Sequence, residues 1–351
     1  DGATFISGNA TNDHLKIASD GSLSTPTSGT SNTRFGVNAG NSIVSGGNYN
    51  VVVGDEAGTA LTQGDESVAV GFEALMTAST GAENVGIGYR ALKLTTGNSN
   101  VAVGKNALAT NSSASNNTAV GTSALTANTT GTDNVAVGAV ALDANTTGAY
   151  NTAMGRAALG ENTSAAHNVA VGYAALLLNT TGAYNTAVGS YALDANTTAS
   201  NNTAVGKSAL SANTTGDTLV AVGPNALATN VAGDRNVAIG SNALTSLNPS
   251  GNVDTYNVAV GLNAGFAVTT GVQNTLIGSL TGDALTEGDY NIAIGDQALS
   301  ADTLGNKSVA IGQAALYTQN FTSATDAYNT AVGHRAGLSV TTGTNNTLIG
   351  G

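Results

Sequence analysis

The stretch NTAVGSYALDANTTASN, residues 185–201, is one copy of a sequence unit that fills most of the chain. Its opening phrase recurs nineteen times with a glycine in fifth place, first at Gly36 and last at Gly350. Of the eighteen intervals between these glycines, fourteen are 17 residues long and the others are 16, 18, 21 and 21. This regularity predicts a stack of near-identical coils rather than a globular domain with one core. We number each unit from its opening Asn, position 1.

The opening phrase has the alternation of a β-strand. Position 2 is Thr, Val or Ile in every copy, position 4 is always apolar, and position 3 is Ala in fourteen copies. Because side chains alternate across a strand, positions 2 and 4 share one face, and we assign that face to the interior of the coil. The small side chain at position 3 then predicts a second surface that a partner chain approaches closely.

The rest of the unit predicts a second strand and two turns. The glycine at position 5 indicates a positive φ or a corner without room for Cβ. An Ala-Leu pair, such as Ala124 and Leu125, is assigned to the second strand. A cluster of turn-forming residues closes the coil. It reads NTTG at Asn128 to Gly131, Asn145 to Gly148, Asn179 to Gly182 and Asn213 to Gly216.

Several coils depart from this plan. In five of them Gly replaces the Leu, at Gly40, Gly58, Gly265, Gly282 and Gly337. An aliphatic residue follows three places later, at Ile43, Leu61, Val268, Leu285 and Val340. Two four-residue insertions, around Pro249 to Thr255 and Asn320 to Asp326, are expected to protrude. The sequence therefore predicts a non-repeating leading segment at residues 1–31 and a β-roll of about nineteen coils at residues 32–351.

The composition excludes several classes of protein. Only 9% of the 351 residues are charged and the formal net charge is −12, so the basic surface that binds nucleic acid is missing. The absence of cysteine excludes disulfides and thiolate metal sites. No apolar run approaches 18 residues, which argues against membrane insertion. Because the chain starts at Asp1 without a Met or a signal peptide, we expect a piece of a longer protein.

Phrases such as NVAVG, NTAVG, SVAIG and NTLIG at fixed intervals resemble the head repeats of YadA-type trimeric autotransporter adhesins. They are still more similar to the NTAVG-ALxANTTG arrays of bacteriophage tail fibres, and the likeness covers Asn32 to Gly350. The resemblance implies an all-β, left-handed parallel β-roll, intertwined or side by side in a homotrimer, with a role in surface attachment. The 17-residue period is longer than that of the adhesin heads, which favours the fibre.

Two columns of residues are candidate functional features. Asn opens sixteen of the nineteen copies, which predicts a structural ladder of stacked amides. Six tyrosines precede this Asn, where other copies have Glu, Asp, His, Arg or Gln, so this position is expected to face solvent. Exposed rings either cover a turn or stack on sugars. The candidate glycan contacts are Tyr150, Tyr184, Tyr256, Tyr290 and Tyr328.

Other chemistry has less support. The threonines of the NTTG loops form an array that resembles those of ice-binding solenoids, but they lie in a loop rather than on a flat strand. Acidic residues at Gly64 to Ser67 and Thr286 to Tyr290 are interpreted as solubilising charge rather than calcium ligands. His14, His167 and His334 are isolated, and no catalytic set recurs in register. We therefore predict no enzyme activity, no metal and no cofactor.

The sequence thus predicts a structural or adhesive fibre segment, the shaft or the receptor-contacting part of a phage tail fibre. A bacterial trimeric surface adhesin is the first alternative, and a monomeric solenoid that binds glycan or ice is the second. The expected location is extracellular, on a virion or a cell surface. The expected partners are two further copies of the chain, a host surface glycan or protein, and other fibre proteins at the chain ends.

Overall fold

The computed structural model describes residues 31–351, together with Gly29 and three short strands of the leading segment. These strands, β1 Thr4–Phe5, β2 Lys16–Ile17 and β3 Leu23–Ser24, pair antiparallel in chain order. Otherwise the predicted leading segment, including His14, lies outside the described residues.

Two compact units make up the chain, residues 1–166 and residues 167–351. Their described residues contain strands and turns and no helix. The further strands of the first unit are β4 Thr33–Phe35, β5 Val51–Val53, β6 Val68–Val70, β7 Val85–Ile87, β8 Val101–Val103, β9 Thr118–Val120, β10 Val135–Val137 and β11 Thr152–Met154. The second unit has β12 Val169–Val171, β13 Thr186–Val188, β14 Thr203–Val205, β15 Val220–Val222, β16 Gly233–Asp234, β17 Val237–Ile239, β18 Val253–Asp254, β19 Val258–Val260, β20 Thr275–Ile277, β21 Ile292–Ile294, β22 Gly305–Asn306, β23 Val309–Ile311, β24 Thr325–Asp326, β25 Thr330–Val332 and β26 Thr347–Ile349.

Each coil places its three-residue strand beside the same strand of the next coil. In the first unit, Val135, Ala136 and Val137 pair in parallel with Thr152, Ala153 and Met154. The same register links the coils of the second unit from β12 to β26, with β16–β18 and β22–β24 as additional short pairs. The predicted parallel β-solenoid of about nineteen turns with a 17-residue repeat is therefore confirmed.

The prediction of which strand face is inside was wrong. Ala187 at position 3 is fully buried, whereas Val188 at position 4 is 37% exposed. Thr186 at position 2 is only half-buried, and the same pattern recurs along both ladders. The alternation was correct, but the small residue lies inside the coil and the β-branched residues lie outside.

The Ala-Leu pair does not form the predicted second strand. It lies in a turn, because Leu125 has φ 52° and Ser123, two residues earlier, has φ 58°. Such left-handed conformations are incompatible with a strand and cost a non-glycine residue about 1 kcal/mol. They persist because each is held by the next coil: the backbone N–H of Leu125 donates to the carbonyl of Ala141 at 3.0 Å. Each coil therefore has one three-residue strand that belongs to the long parallel ladder, and the rest of its main repeat consists of turns.

The predicted role of the glycine at position 5 is confirmed. Gly121 has φ 136°, a conformation accessible essentially only to glycine. A Cβ on Gly121 would also lie 2.6 Å from the carbonyl oxygen of Gly138 in the next coil. Both reasons given for this glycine therefore apply at the same position.

The predicted amide ladder is also confirmed, and a second one runs beside it. At position 1, the Asn134 backbone N–H donates to Asn117 Oδ1 at 3.0 Å, and Asn134 Nδ2 donates to the Gly148 carbonyl at 2.9 Å. At position 12, the Asn of the NTTG loop is buried rather than in an exposed turn, and Asn145 Nδ2 donates to Asn128 Oδ1 at 2.9 Å. Because these amides have partners in the neighbouring coil, burying them is not costly.

In the five variant coils, the residue at position 12 fills the space that the missing Leu leaves at position 9. Gly282 keeps the left-handed φ of that position, at 53°, and a Cβ there would lie 2.9 Å from Leu285 Cδ1. Leu276, at position 3, occupies the rest of this space, because its Cδ2 would lie 2.9 Å from the same added Cβ on Gly282. The interior therefore keeps its volume while the aliphatic side chain comes from another position.

Candidate functional site

The outer face of the long parallel ladder is the first candidate surface of the second unit. Eleven strands contribute to it, so it is about 48 Å long, and two rows of side chains make it roughly 10 Å wide. Val205, Ile239, Ile277 and Ile292 are each between 37% and 40% exposed. The resulting strip is Val, Ile or Thr throughout and covers an outline of about 500 Å², the size of the largest apolar patches on proteins, which often mark interaction sites.

Packing inside the coil explains why these aliphatic residues point outward. Gly86 is the smallest residue found at position 3, and a Cβ built there would lie 3.1 Å from the Ala91 carbonyl and 3.3 Å from Leu75 Cγ. An interior this tight accepts Ala but not Val while Leu occupies position 9. Larger residues at position 3, such as Val52 and Leu276, occur in coils where Gly replaces that Leu.

The residue before each opening Asn forms a second surface column. All nineteen of these residues have φ between 49° and 61°. Most are exposed, as expected, including all five candidate tyrosines. The structure therefore places Tyr184, Tyr256, Tyr290 and Tyr328 in one column of the second unit and Tyr150 in the first unit.

The two insertions build the same constellation twice in this column. Arg235 Nε lies 2.8 Å from Asp254 Oδ1, and the Tyr256 hydroxyl donates to Asp254 Oδ2 at 2.8 Å. That hydrogen bond raises the pKa of Tyr256, and Asp254 raises the pKa of Arg235. The guanidinium carbon also lies 5.9 Å from the centre of the Tyr256 ring. As expected, most of this inserted loop is exposed.

In the second constellation, Lys307 takes the place of the arginine. Lys307 Nζ lies 2.6 Å from Asp326 Oδ2 and 5.2 Å from the centre of the Tyr328 ring. The Tyr328 hydroxyl donates to Asp326 Oδ2 at 3.3 Å. The lysine holds the pKa of Asp326 below its ordinary value. The sequence predicts both insertions and both exposed tyrosines but not this shared arrangement.

Tyr184 has a different environment, because its ring stacks on His167 with 4.9 Å between ring centres and 4° between ring planes. Neither ring of this pair belongs to an insertion. A second aromatic pair in the same unit, which sequence reasoning missed, joins Tyr173 and Tyr191 edge to face at 5.2 Å. Burial raises the pKa of the nearby Asp194, whose Oδ1 has no hydrogen-bond partner.

Threonine and acidic side chains of the loops bond to neighbouring coils. Thr129 Oγ1 donates to the Thr146 carbonyl at 2.9 Å, so this hydroxyl forms a hydrogen bond between neighbouring coils. Asp65 Oδ1 accepts the Asn48 backbone N–H at 2.6 Å, and Asp289 Oδ1 accepts the Val272 backbone N–H at 2.7 Å. These carboxylates, which the sequence left as solubilising charge, therefore bridge coils.

Within the described residues, no three His, Cys, Asp or Glu side chains form a group that would hold a metal ion. The same residues include no helix with the length and apolar character needed to span a bilayer. Comparison with protein-family models finds no match, and comparison with curated proteins finds none either.

Proposed function

We propose that the chain is a structural segment of an extracellular fibre and that it assembles with copies of itself through the outer face of its parallel ladder. The observation that carries this proposal is the strip of exposed Val, Ile and Thr side chains along the second unit. Covering the Val and Ile side chains of this strip removes apolar surface from water, which favours association.

A further copy of the chain is the partner that best matches this strip. The rows repeat at about 4.8 Å along the ladder, so a partner with the same repeat meets equivalent side chains at each step. A second copy has this repeat and the same apolar rows. Because every copy presents the same face, the favoured assembly is a closed symmetric one. Three copies is the number implied by the resemblance to fibre and adhesin repeats.

The placement on a phage tail fibre, as a shaft or a receptor-contacting part, is supported by the NTAVG-ALxANTTG phrase and by the 17-residue period. A bacterial trimeric adhesin would use the same assembled coil. Capsid or baseplate genes beside the coding sequence would support the fibre, whereas a membrane anchor encoded in the same gene would support the adhesin.

The mass of the purified chain in solution tests the assembly. Size exclusion coupled to light scattering should give three times 34.2 kDa. A stable species of 34.2 kDa at micromolar concentration would contradict the proposal, because the strip would then remain exposed to water in a stable protein.

A further inference from the structure

We infer that Tyr256, Tyr290 and Tyr328, here called the tyrosine row, form a binding platform for a neutral, extended polysaccharide with β-1,4 linkages. This inference concerns a different surface from the assembly face and does not depend on the fibre assignment. It is carried by the spacing, the rigidity and the charge balance of the row.

The three tyrosines stand on every second coil. They precede β19, β21 and β25, while Gln273 and Lys307 precede the intervening strands β20 and β23. These strands pair consecutively in parallel, so neighbouring tyrosines are two coil steps apart, about 10 Å along the ladder. The row therefore extends for roughly 19 Å.

The backbone holds these positions in place. Gln273 donates its N–H to the Thr255 carbonyl at 2.7 Å, and Tyr290 donates its N–H to the Val272 carbonyl at 3.0 Å. The outer two rings are fixed further, because the Tyr256 and Tyr328 hydroxyls bond to the carboxylates of the inserted loops. At these two outer rings a ligand has little side-chain freedom to remove, so binding there loses little entropy.

The chemistry of the row suits a sugar chain. The face of an aromatic ring is electron-rich and attracts the polarised C–H groups on one face of a pyranose. Gln273 and Lys307 stand on the coils between the tyrosines, and Lys307 Nζ lies 3.3 Å from the Tyr328 hydroxyl and 5.2 Å from the centre of its ring. Polar groups of this kind can bond to the hydroxyl groups of a sugar chain. A β-1,4-linked chain in its two-fold extended form presents the same ring face at every second sugar, which matches tyrosines on alternate coils.

Charge favours a neutral ligand over an acidic one. Arg235 and Lys307 are each paired with a carboxylate, Asp254 and Asp326, so neither cation is left uncompensated. The formal net charge of −12 would in addition repel a polyanion over distances up to the Debye length. The expected ligands are therefore uncharged glucan-like or chitin-like chains.

The test is calorimetric titration of the intact chain with cellohexaose and chitohexaose. A hexamer reaches more than one tyrosine and a dimer does not, so at least one hexamer should bind roughly tenfold more tightly than its disaccharide. Maltohexaose, whose α-1,4 linkages curve the chain, should bind weakly or not at all. Failure of both hexamers to bind at millimolar concentration would overturn the inference, as would equal binding of maltohexaose.

Matched variants locate the site. Tyr290→Asn removes the central ring, and asparagine already occupies the same position with the same φ at Asn201, so the coil should keep its melting temperature. This variant should weaken hexamer binding roughly three- to tenfold. Tyr184→Asn, the control, changes another exposed tyrosine, four coils before the row, and should leave binding unchanged. Equal losses in the two variants would overturn the assignment. Light scattering on the same samples reports assembly separately from sugar binding.

Discussion

The two faces of strand β13 show how this fold distributes its apolar residues. Ala187, the smallest side chain of the strand, is buried in the coil, while the larger Val188 faces outward. In a monomeric protein the larger aliphatic residue would be the one to bury, because it gains more on leaving water. Here the enclosed interior has room only for the Ala, so the Val rows remain on the surface that we propose neighbouring chains cover.

The largest expected effect comes from placing a charge in the enclosed interior. Ala187→Asp buries an unpaired carboxylate beside Leu side chains and should cost at least about 4 kcal/mol of folding free energy. Circular dichroism and thermal melting would show loss of β-structure or a much lower melting temperature. A native-like melt for this variant would mean that position 3 is not inside.

The next effect separates the proposed assembly surface from the enclosed interior. Val188→Asp combined with Val205→Asp puts two charges in the outer row of adjacent coils, where each site is 37% exposed in a single chain. The chain should keep its circular dichroism spectrum while its mass falls from three times 34.2 kDa to 34.2 kDa.

Thr198→Asp provides the control for added charge, since Thr198 is exposed in the closing loop. It should leave the mass unchanged. If this control dissociated the assembly as fully as the Val188 and Val205 pair, general repulsion rather than the outer row would be responsible.

A comparison of coil types gives the third prediction. Gly282→Leu should destabilise the chain by about 1 to 3 kcal/mol, because the new side chain collides with Leu276 and Leu285. Leu285→Ala alone should cost about 2 to 5 kcal/mol through the cavity that it leaves. In the double variant the new Leu enters that cavity, so the combined loss should be smaller than the sum. Additive losses from denaturant titrations would show that the two positions do not share one space.

The smallest effect concerns Asp194. Burial raises the pKa of its carboxyl, so the folded state binds this proton more tightly than the unfolded state does. The stability that Asp194 contributes is therefore present below the ordinary pKa of aspartate and is lost as the pH rises through the raised value. Asp194→Asn should stabilise the chain at pH 7 by less than about 1 kcal/mol, and the gain should disappear in acid.

Asp326→Asn should behave in the opposite way. Lys307 lowers the pKa of Asp326, so this carboxylate stabilises the fold above the ordinary aspartate pKa, and the contribution is lost in acid. The variant should melt lower than the native chain at pH 7 and like it in acid. If the melting temperatures of both variants at pH 7 shifted in the same direction from the native value, one of the two assignments would be wrong.

The sequence predicted the features that depend on repetition. The coil length, the parallel register, the glycine at position 5 and the Asn ladder all follow from identical residues recurring at a fixed interval. Alternation showed that Thr186 and Val188 share a face opposite Ala187, but it does not say which face is inside. That choice depends on how much room the coil interior leaves for position 3. Leu193, which lies in a turn and is buried, limits that room, and the sequence pattern does not show this.

Other features could not be predicted because they contradict local preference. Leu125 at φ 52° is a conformation that leucine avoids, so the pattern suggested a strand where the chain makes a turn. The constellation of Arg235, Asp254 and Tyr256 forms across an insertion, between residues with no regular spacing. The sequence identifies the candidate tyrosines by their shared position in the repeat. The distance between Tyr256, Tyr290 and Tyr328 follows only from the structure, which shows that consecutive strands pair.

Coils of 16 and 21 residues keep the same strand pairing as those of 17, because the extra or missing residues fall in the closing loop. The fold should therefore also tolerate the gain or loss of a whole repeat. Recombination between repeats that removed or added a whole coil would leave every remaining column aligned. Such a lineage can change the length of its product in steps of one coil without inventing a new contact, and selection can then act on length as a separate trait.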